Sequence, residues 1–140
     1  IDPKKKIPNF TVPLHKWWGI DKLSLYDPGV PEHSTLPTKK ADLVICTDVL
    51  EHVPEEDLDW VIKELCSLSN SAVFINVSSV PALKTFTTGK YKGMNVHVSL
   101  FDHAWWVNKI TEIHKDYKDL KIYLTSAEKG GIMGTCIKGD

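Results

Sequence analysis

The sequence predicts an α/β domain built on a mainly parallel sheet, and three observations support this prediction. Two apolar runs, at 43–46 and 72–77, have the composition of strands that are buried on both faces. Each run is followed, directly or after a loop, by a segment whose apolar residues recur at helical spacing. The chain then ends in two alternating segments joined by Gly130-Gly131, which is the pattern of an antiparallel hairpin. Because strands that alternate with helices pair in parallel, we expect a parallel sheet closed by a C-terminal antiparallel hairpin.

The N-terminal part of the chain lacks the strand and helix patterns of the rest. Residues 1–22 include three prolines and a lysine triplet, which favour an extended arm, and a single α/β domain is expected over 23–140. Residues 23–26 alternate weakly and then break at Asp27-Pro28-Gly29, which predicts a short strand with an acid at its carboxyl end.

The central stretch, 41–65, predicts strand, polar loop and helix in direct succession. The apolar run ends at Thr47, and Asp48, Glu51 and His52 follow within five residues. Pro54 and three consecutive acids then mark a helix start, because proline suits the first turn and acids favour the positive end of the helix dipole. In open α/β sheets ligands bind beyond the carboxyl ends of the strands, which is where these polar residues are expected.

The second half of the chain predicts strand, long loop, helix and hairpin. Residues 78–98 form an irregular segment of a length that is usually functional or disordered. Asp102 is placed to cap a helix whose apolar face includes Trp106, Ile110 and Ile113.

Composition narrows the functional classes. The 140 residues carry a formal net charge of −1, so nucleic acid is not indicated as an obligate partner, although a nucleic-acid substrate remains open. No apolar run approaches the roughly 20 residues that a membrane helix needs. Three widely spaced cysteines in apolar contexts, Cys46, Cys66 and Cys136, predict buried reduced thiols in a reducing compartment such as the cytoplasm.

These elements, in this order, resemble those of the class I S-adenosylmethionine-dependent methyltransferases, whose sheet is Rossmann-like with a C-terminal antiparallel hairpin. The strongest match is 42–54, Asp-Leu-Val-Ile-Cys-Thr-Asp-Val-Leu-Glu-His-Val-Pro, where strand, acid, Leu-Glu-His triplet and helix start follow in the family's order. This segment is similar to the family's fourth strand and the loop after it. The run at 72–77 looks like the fifth strand, and the hairpin looks like the sixth and seventh strands. The resemblance covers roughly 23–138.

One family feature has no counterpart in this sequence. The glycine-rich cofactor turn after the first strand is missing, since Gly19 and Gly29 are isolated. The chain also begins at Ile1 rather than at methionine. The resemblance therefore implies a methyltransferase domain that lacks its N-terminal part, with the first strand and its glycine turn expected upstream.

The resemblance implies S-adenosylmethionine as cofactor and methyl transfer to an unidentified acceptor. It implies candidate roles at four places. Asp27 would accept the ribose hydroxyls, and the end of the central strand would contact the cofactor. His52 would act as a catalytic base, and later residues would shape the acceptor pocket. In full, the candidates are Asp27, Thr47, Asp48 and Val49 for the cofactor, His52 for catalysis, and His97 and Trp105 for the substrate.

Each candidate also has a plain structural interpretation. Asp27 can simply start the Asp-Pro-Gly turn, and Asp48 can cap a local turn. Glu51 is expected to accept hydrogen bonds from backbone N–H groups rather than to act in catalysis. His52 either acts as a base or orients a substrate, since its ordinary pKa is near neutrality, or it is a packed, hydrogen-bonded histidine at the loop–helix junction.

No metal site is predicted from the sequence. His52, His97 and His103 match no common pattern of ligand spacing. Trp105 and Trp106 are adjacent at the start of a helix, and packing in the core or at an interface is favoured for them over stacking on a substrate.

A second function stays open: a non-catalytic binding or assembly domain that keeps the methyltransferase-like sheet. Loss of the first strand would leave the central strand with a free edge. That edge would be filled by the N-terminal arm or by a second copy of the chain, giving a homo-oligomer.

Overall fold

The structure is a computed structural model that describes residues 14–139, and the chain divides at residue 38 into two compact units. The expected arm lies largely in residues 1–13, outside the described residues. In the N-terminal unit a short helix, α1, spans Leu14–Trp17, and a 3₁₀ turn spans Pro31–His33.

The short strand predicted at 23–26 is not formed. Residues 21–27 are irregular, and Leu23 and Leu25 remain 47% and 56% exposed. The weak alternation therefore buries no apolar face, and without such burial it does not stabilise a strand.

The C-terminal unit, from residue 39 onward, has the predicted α/β architecture. Its strands are β1 (Ala41–Thr47), β2 (Ser69–Ser78), β3 (Lys121–Glu128) and β4 (Gly131–Ile137), and its helices are α2 (Leu58–Ser67) and α3 (His103–His114). The sheet order is β1-β2-β3-β4, with β1, β2 and β3 parallel and β4 antiparallel at the edge. The expectation of a mainly parallel sheet closed by an antiparallel hairpin is therefore confirmed.

Both helices begin close to where the sequence predicts them. The acids after Pro54 form a 3₁₀ turn, Glu55–Asp57, and α2 follows directly from Leu58. Asp102 caps α3, because its Oδ1 accepts a hydrogen bond of 2.8 Å from the backbone N–H of Trp105.

The core lies between one face of the sheet and the two helices. Alternate residues of β2 and β3 are fully buried there, with Leu58 and Ile62 of α2 and Trp106 and Ile110 of α3. Because side chains alternate across a strand, the other residues point to the opposite face. On that face the register aligns Ile45, Phe74, Tyr123 and Cys136 in one row, and Ile45 and Tyr123 are 39% and 41% exposed.

The cysteine prediction is correct for two residues and wrong for the third. Cys46 and Cys66 are free and buried, and burial raises their pKa values to about 12 and about 11. Cys136 is exposed, because its position in β4 directs it to the open face of the sheet.

Among the described residues, β1 pairs with β2 on one side and with no strand on the other. Between residues 14 and 139 no helix is both long enough and apolar enough to cross a membrane.

Candidate functional site

The carboxyl ends of β1 and β2 are tied together by hydrogen bonds from the polar segment after β1. The backbone N–H of Asp48 donates to the carbonyl of Asn76 over 3.1 Å. Three residues later, the Glu51 carboxylate crosses to β2, where its Oε1 accepts from the N–H of Ser78 over 3.0 Å. The polar segment is thus fixed at the edge where ligands bind in open α/β sheets.

Asp48 has a backbone conformation that side chains other than glycine rarely adopt. Its φ is +55°, the left-handed region, in which aspartate and asparagine are enriched among non-glycine residues. Thr47, Asp48 and Val49 are all exposed. Within residues 14–139 the Asp48 carboxylate makes no hydrogen bond or ion pair, so it is free to accept from a ligand.

Glu51 is fully buried in the 3₁₀ turn Leu50–His52. Its role as an acceptor for a backbone N–H is confirmed by the bond from Ser78. Its other carboxylate oxygen, Oε2, is buried and has no hydrogen-bond partner among the described residues. Burial first, and the Glu51 charge second, raise the pKa of the neighbouring Cys46 thiol.

His52 is exposed, but its ring orientation is fixed. Its Nδ1 lies 2.9 Å from the carbonyl oxygen of Val96. Because a carbonyl only accepts, Nδ1 must carry the hydrogen, and the neutral ring then has its lone pair on Nε2. His52 therefore has the hydrogen bond of the plain interpretation, but its side chain is exposed rather than packed, and its role as a base stays a prediction.

His97 is held in the same way from the long segment between β2 and α3. Its Nδ1 lies 2.7 Å from the carbonyl oxygen of Val80, so Nε2 is again the nitrogen that remains an acceptor. The Asn95 side chain fixes the backbone around His97 by three hydrogen bonds. Its Oδ1 accepts from the N–H groups of Ala82 and His97, and its Nδ2 donates to the Ala82 carbonyl.

Ser99 joins this segment to the polar segment after β1. Its N–H donates to the Glu51 carbonyl over 3.0 Å, and its hydroxyl donates to the Val53 carbonyl over 2.6 Å. Residues 78–98, which the sequence left as either functional or disordered, are thus folded onto the turn that holds Glu51 and His52.

Glu51, His52 and His97 form a compact cluster, which we call the Glu-His-His cluster. One carboxylate oxygen and one ring nitrogen from each histidine lie within 4.8 Å of one another. The two imidazoles meet edge to face, with centroids 4.8 Å apart. The cluster extends from the fully buried Glu51 through the half-buried His97 to the exposed His52, so solvent reaches it from one side.

Two sequence-predicted residues are not part of this cluster. Asp27 belongs to the N-terminal unit, where its Oδ1 accepts from the N–H of Gly29 over 2.9 Å in the Asp-Pro-Gly turn, and its predicted contact with the ribose stays a prediction. Trp105 stacks on Phe101 at a centroid distance of 3.7 Å and has the Lys109 ammonium 5.7 Å from its ring. These contacts use the Trp105 ring for packing, and its predicted contact with substrate stays a prediction.

Sequence reasoning missed the grouping of Glu51 with the two histidines, and it missed the supporting roles of Asn95 and Ser99. The only signal for the last two was the alternation Asn95-x-His97-x-Ser99 inside an otherwise irregular segment. Comparison of the chain with protein-family models, with curated proteins and with solved structures found no significant match. Functional inference therefore rests on the geometry of the site and on the resemblance of residues 42–54.

Proposed function

We propose that this chain takes part in S-adenosylmethionine-dependent methyl transfer, with the cofactor held at the carboxyl end of β1. The observation that carries the proposal is the placement of Thr47, Asp48 and Val49. They are exposed at the carboxyl end of a parallel strand, and Asp48 has a left-handed backbone and a carboxylate without a partner among residues 14–139. Strained backbone of this kind clusters at functional sites.

These residues fit the chemistry of the cofactor. S-Adenosylmethionine supplies an electrophilic methyl group on a positively charged sulfur, and its ribose offers two hydroxyl donors. The Asp48 carboxylate, without a partner among residues 14–139, can accept from a donor of the cofactor, and the exposed Val49 side chain offers an apolar contact beside it, whereas Asp27 is the residue proposed for the ribose hydroxyls.

His52 is oriented to take the acceptor's proton. With Nδ1–H donated to the Val96 carbonyl, Nε2 is the atom that receives a proton. The acceptor atom forms its bond to the methyl carbon as the carbon–sulfur bond breaks, and the acceptor's proton passes to His52. His97 contacts the His52 ring edge to face and helps to position the acceptor. Holding both reactants in line supplies much of the rate, because orientation replaces a bimolecular encounter.

Calorimetric titration with S-adenosylhomocysteine tests the proposal. We expect one site per chain, with at least about tenfold weaker binding in Asp48→Gly, which equals about 1.4 kcal/mol. Glycine tolerates the left-handed backbone, so this variant removes the carboxylate without adding strain. Glu56→Ala, which removes an exposed carboxylate from the 3₁₀ turn before α2, is the control and should bind as the parent chain does. No binding at about 1 mM ligand, or equal binding by Asp48→Gly, would contradict the proposal.

The second candidate, a binding or assembly domain, is favoured by one specific observation. An apolar row, Ile45, Phe74, Tyr123 and Cys136, lies on the sheet face opposite to α2 and α3, and among the described strands β1 is an edge strand. Parallel sheets normally have both faces covered. Light scattering of the parent chain and of Ile45→Glu tests a homo-oligomer, with Leu83→Glu as a matched control at a fully exposed leucine. A monomeric parent chain would rule out a homo-oligomer formed through this face.

A further inference from the structure

We propose that the Glu-His-His cluster is a binding site for one divalent transition-metal ion. The inference goes beyond methyl transfer and does not depend on it, and a metal ion bound at His52 Nε2 would replace the role of that nitrogen as the base. It starts from the three potential ligand atoms of Glu51, His52 and His97, which lie within 4.8 Å of one another although the residues are up to 46 positions apart in the sequence.

The histidines already have the orientation of metal ligands. A metal-bound histidine usually donates its second ring N–H to a carbonyl or carboxylate, which fixes the tautomer and the ring direction. His52 and His97 both do so, through Nδ1 to the carbonyls of Val96 and Val80 at 2.9 and 2.7 Å. Each neutral ring therefore presents an unprotonated Nε2, the form that binds a metal.

Glu51 supplies the negative charge that a cation requires. Its side chain is fully buried, and Oε1 is occupied by the Ser78 N–H. Oε2 is buried without a hydrogen-bond partner among residues 14–139. A buried carboxylate oxygen without a partner is costly, and a bound cation removes that cost. In the described part of the chain, no lysine or arginine forms an ion pair with it.

The distances fit a site that closes slightly on binding. Ligand atoms at about 2.1 Å from a tetrahedral metal lie about 3.4 Å from one another. The cluster therefore needs to contract by less than about 1.5 Å, a change that small shifts of the three side chains can supply. The same exposure leaves the remaining coordination positions open to water or to a ligand.

The donor set selects the class of metal. Two imidazoles and one carboxylate suit Zn²⁺, Fe²⁺ and similar first-row ions, whereas Mg²⁺ and Ca²⁺ prefer oxygen ligands alone. Three protein ligands with open positions are typical of catalytic rather than structural metal centres.

Titration of the untagged chain with Zn²⁺, followed by calorimetry, tests the inference. The chain carries Cys136→Ser in all samples, because the exposed thiol at that position is itself a zinc ligand. We expect one Zn²⁺ per chain with a Kd below about 10 µM, which equals about −7 kcal/mol. His52→Ala, His97→Ala and Glu51→Gln should each weaken binding by at least about tenfold. His33→Ala removes an imidazole outside the cluster and should leave binding unchanged.

Co²⁺ gives an independent readout, since its visible absorption reports nitrogen and oxygen coordination. We expect a spectrum in the parent chain that is lost in His97→Ala and retained in His33→Ala. Glu51→Gln keeps an oxygen that can accept from Ser78, and His52 is exposed, so these two variants keep the inference testable if His97→Ala fails to fold. The inference is overturned by a zinc Kd above about 1 mM. Binding that is equal in the parent chain, His52→Ala and Glu51→Gln would overturn it as well.

Discussion

The Glu51 carboxylate links the segment after β1 to the end of β2, and truncating this side chain should destabilise the fold in a way that a neutral isostere does not. In Glu51→Ala the N–H of Ser78 loses its acceptor in a buried position. An unsatisfied buried donor costs about 1–3 kcal/mol. Loss of the buried methylenes adds about 1–2 kcal/mol, because the surrounding core relaxes only in part. The expected loss in the free energy of unfolding is therefore about 2–5 kcal/mol.

Glu51→Gln keeps an oxygen in place for the Ser78 N–H and removes the buried charge. Its expected change in unfolding free energy is within about 1 kcal/mol, because the neutral hydrogen bond is weaker but no anion has to be desolvated. Glu56→Ala, at an exposed position, should change stability by less than about 0.5 kcal/mol.

Urea unfolding, followed by circular dichroism with the slope m compared between variants, measures these differences. The reasoning fails if Glu51→Ala loses less than about 0.5 kcal/mol, within the range of ordinary surface substitutions. It also fails if Glu51→Gln loses as much as Glu51→Ala, because the hydrogen bond to Ser78 would then not be the source of the effect.

Four further predictions concern Asp48, the cysteines and the cap of α3. Asp48→Gly should raise the unfolding free energy by up to about 1 kcal/mol in urea, since it relieves the left-handed strain at φ +55°; a loss would contradict the strain argument. With a thiol reagent at pH 8, Cys136 should react in the folded chain, whereas Cys46 and Cys66 should react only after unfolding, because burial raises their pKa values to about 12 and about 11. The raised pKa values of Cys46 and Cys66 also make stability depend on pH, because they favour the folded state below about pH 9. Above that pH the free energy of unfolding should fall by up to ~1.4 kcal/mol per pH unit for each thiol, which urea unfolding at pH 8 and 10 measures. Asp102→Ala should cost about 1 kcal/mol through loss of the α3 cap, measured against Asp102→Asn, which keeps an acceptor.

The elements predicted correctly are those whose local residue pattern matches their burial or capping in the fold. The apolar runs of β1 and β2 and the Asp102 cap of α3 each contain their own signal, so these elements follow from pattern alone. The strand predicted at 23–26 was wrong because alternation is insufficient without a neighbouring surface that buries one side of it. The exposure of Cys136 was missed for a related reason: its context is apolar, but its position in β4 faces the uncovered side of the sheet.

The site was predictable only in part. Asp48, Glu51 and His52 follow one strand, so the sequence could place them together at its carboxyl end. His97 lies 45 residues after His52, and it reaches the cluster through the tertiary path set by Asn95 and Ser99. Spacing patterns for metal ligands describe residues that are close together in the sequence, so they do not detect ligands that only the tertiary structure brings together.

Nuclear magnetic resonance of the ¹⁵N-labelled chain, titrated with S-adenosylhomocysteine, tests most directly whether the carboxyl end of β1 is the ligand site. The proposed function predicts that the amide signals of Thr47, Asp48 and Val49 shift on binding, with smaller changes in residues 95–99. The amide signals of Tyr123 and Cys136, which lie in the apolar row on the sheet face opposite to α2 and α3, should not shift. Shifts confined to that face, or no shifts at saturating ligand, would contradict the proposal that the cofactor binds at the carboxyl end of β1.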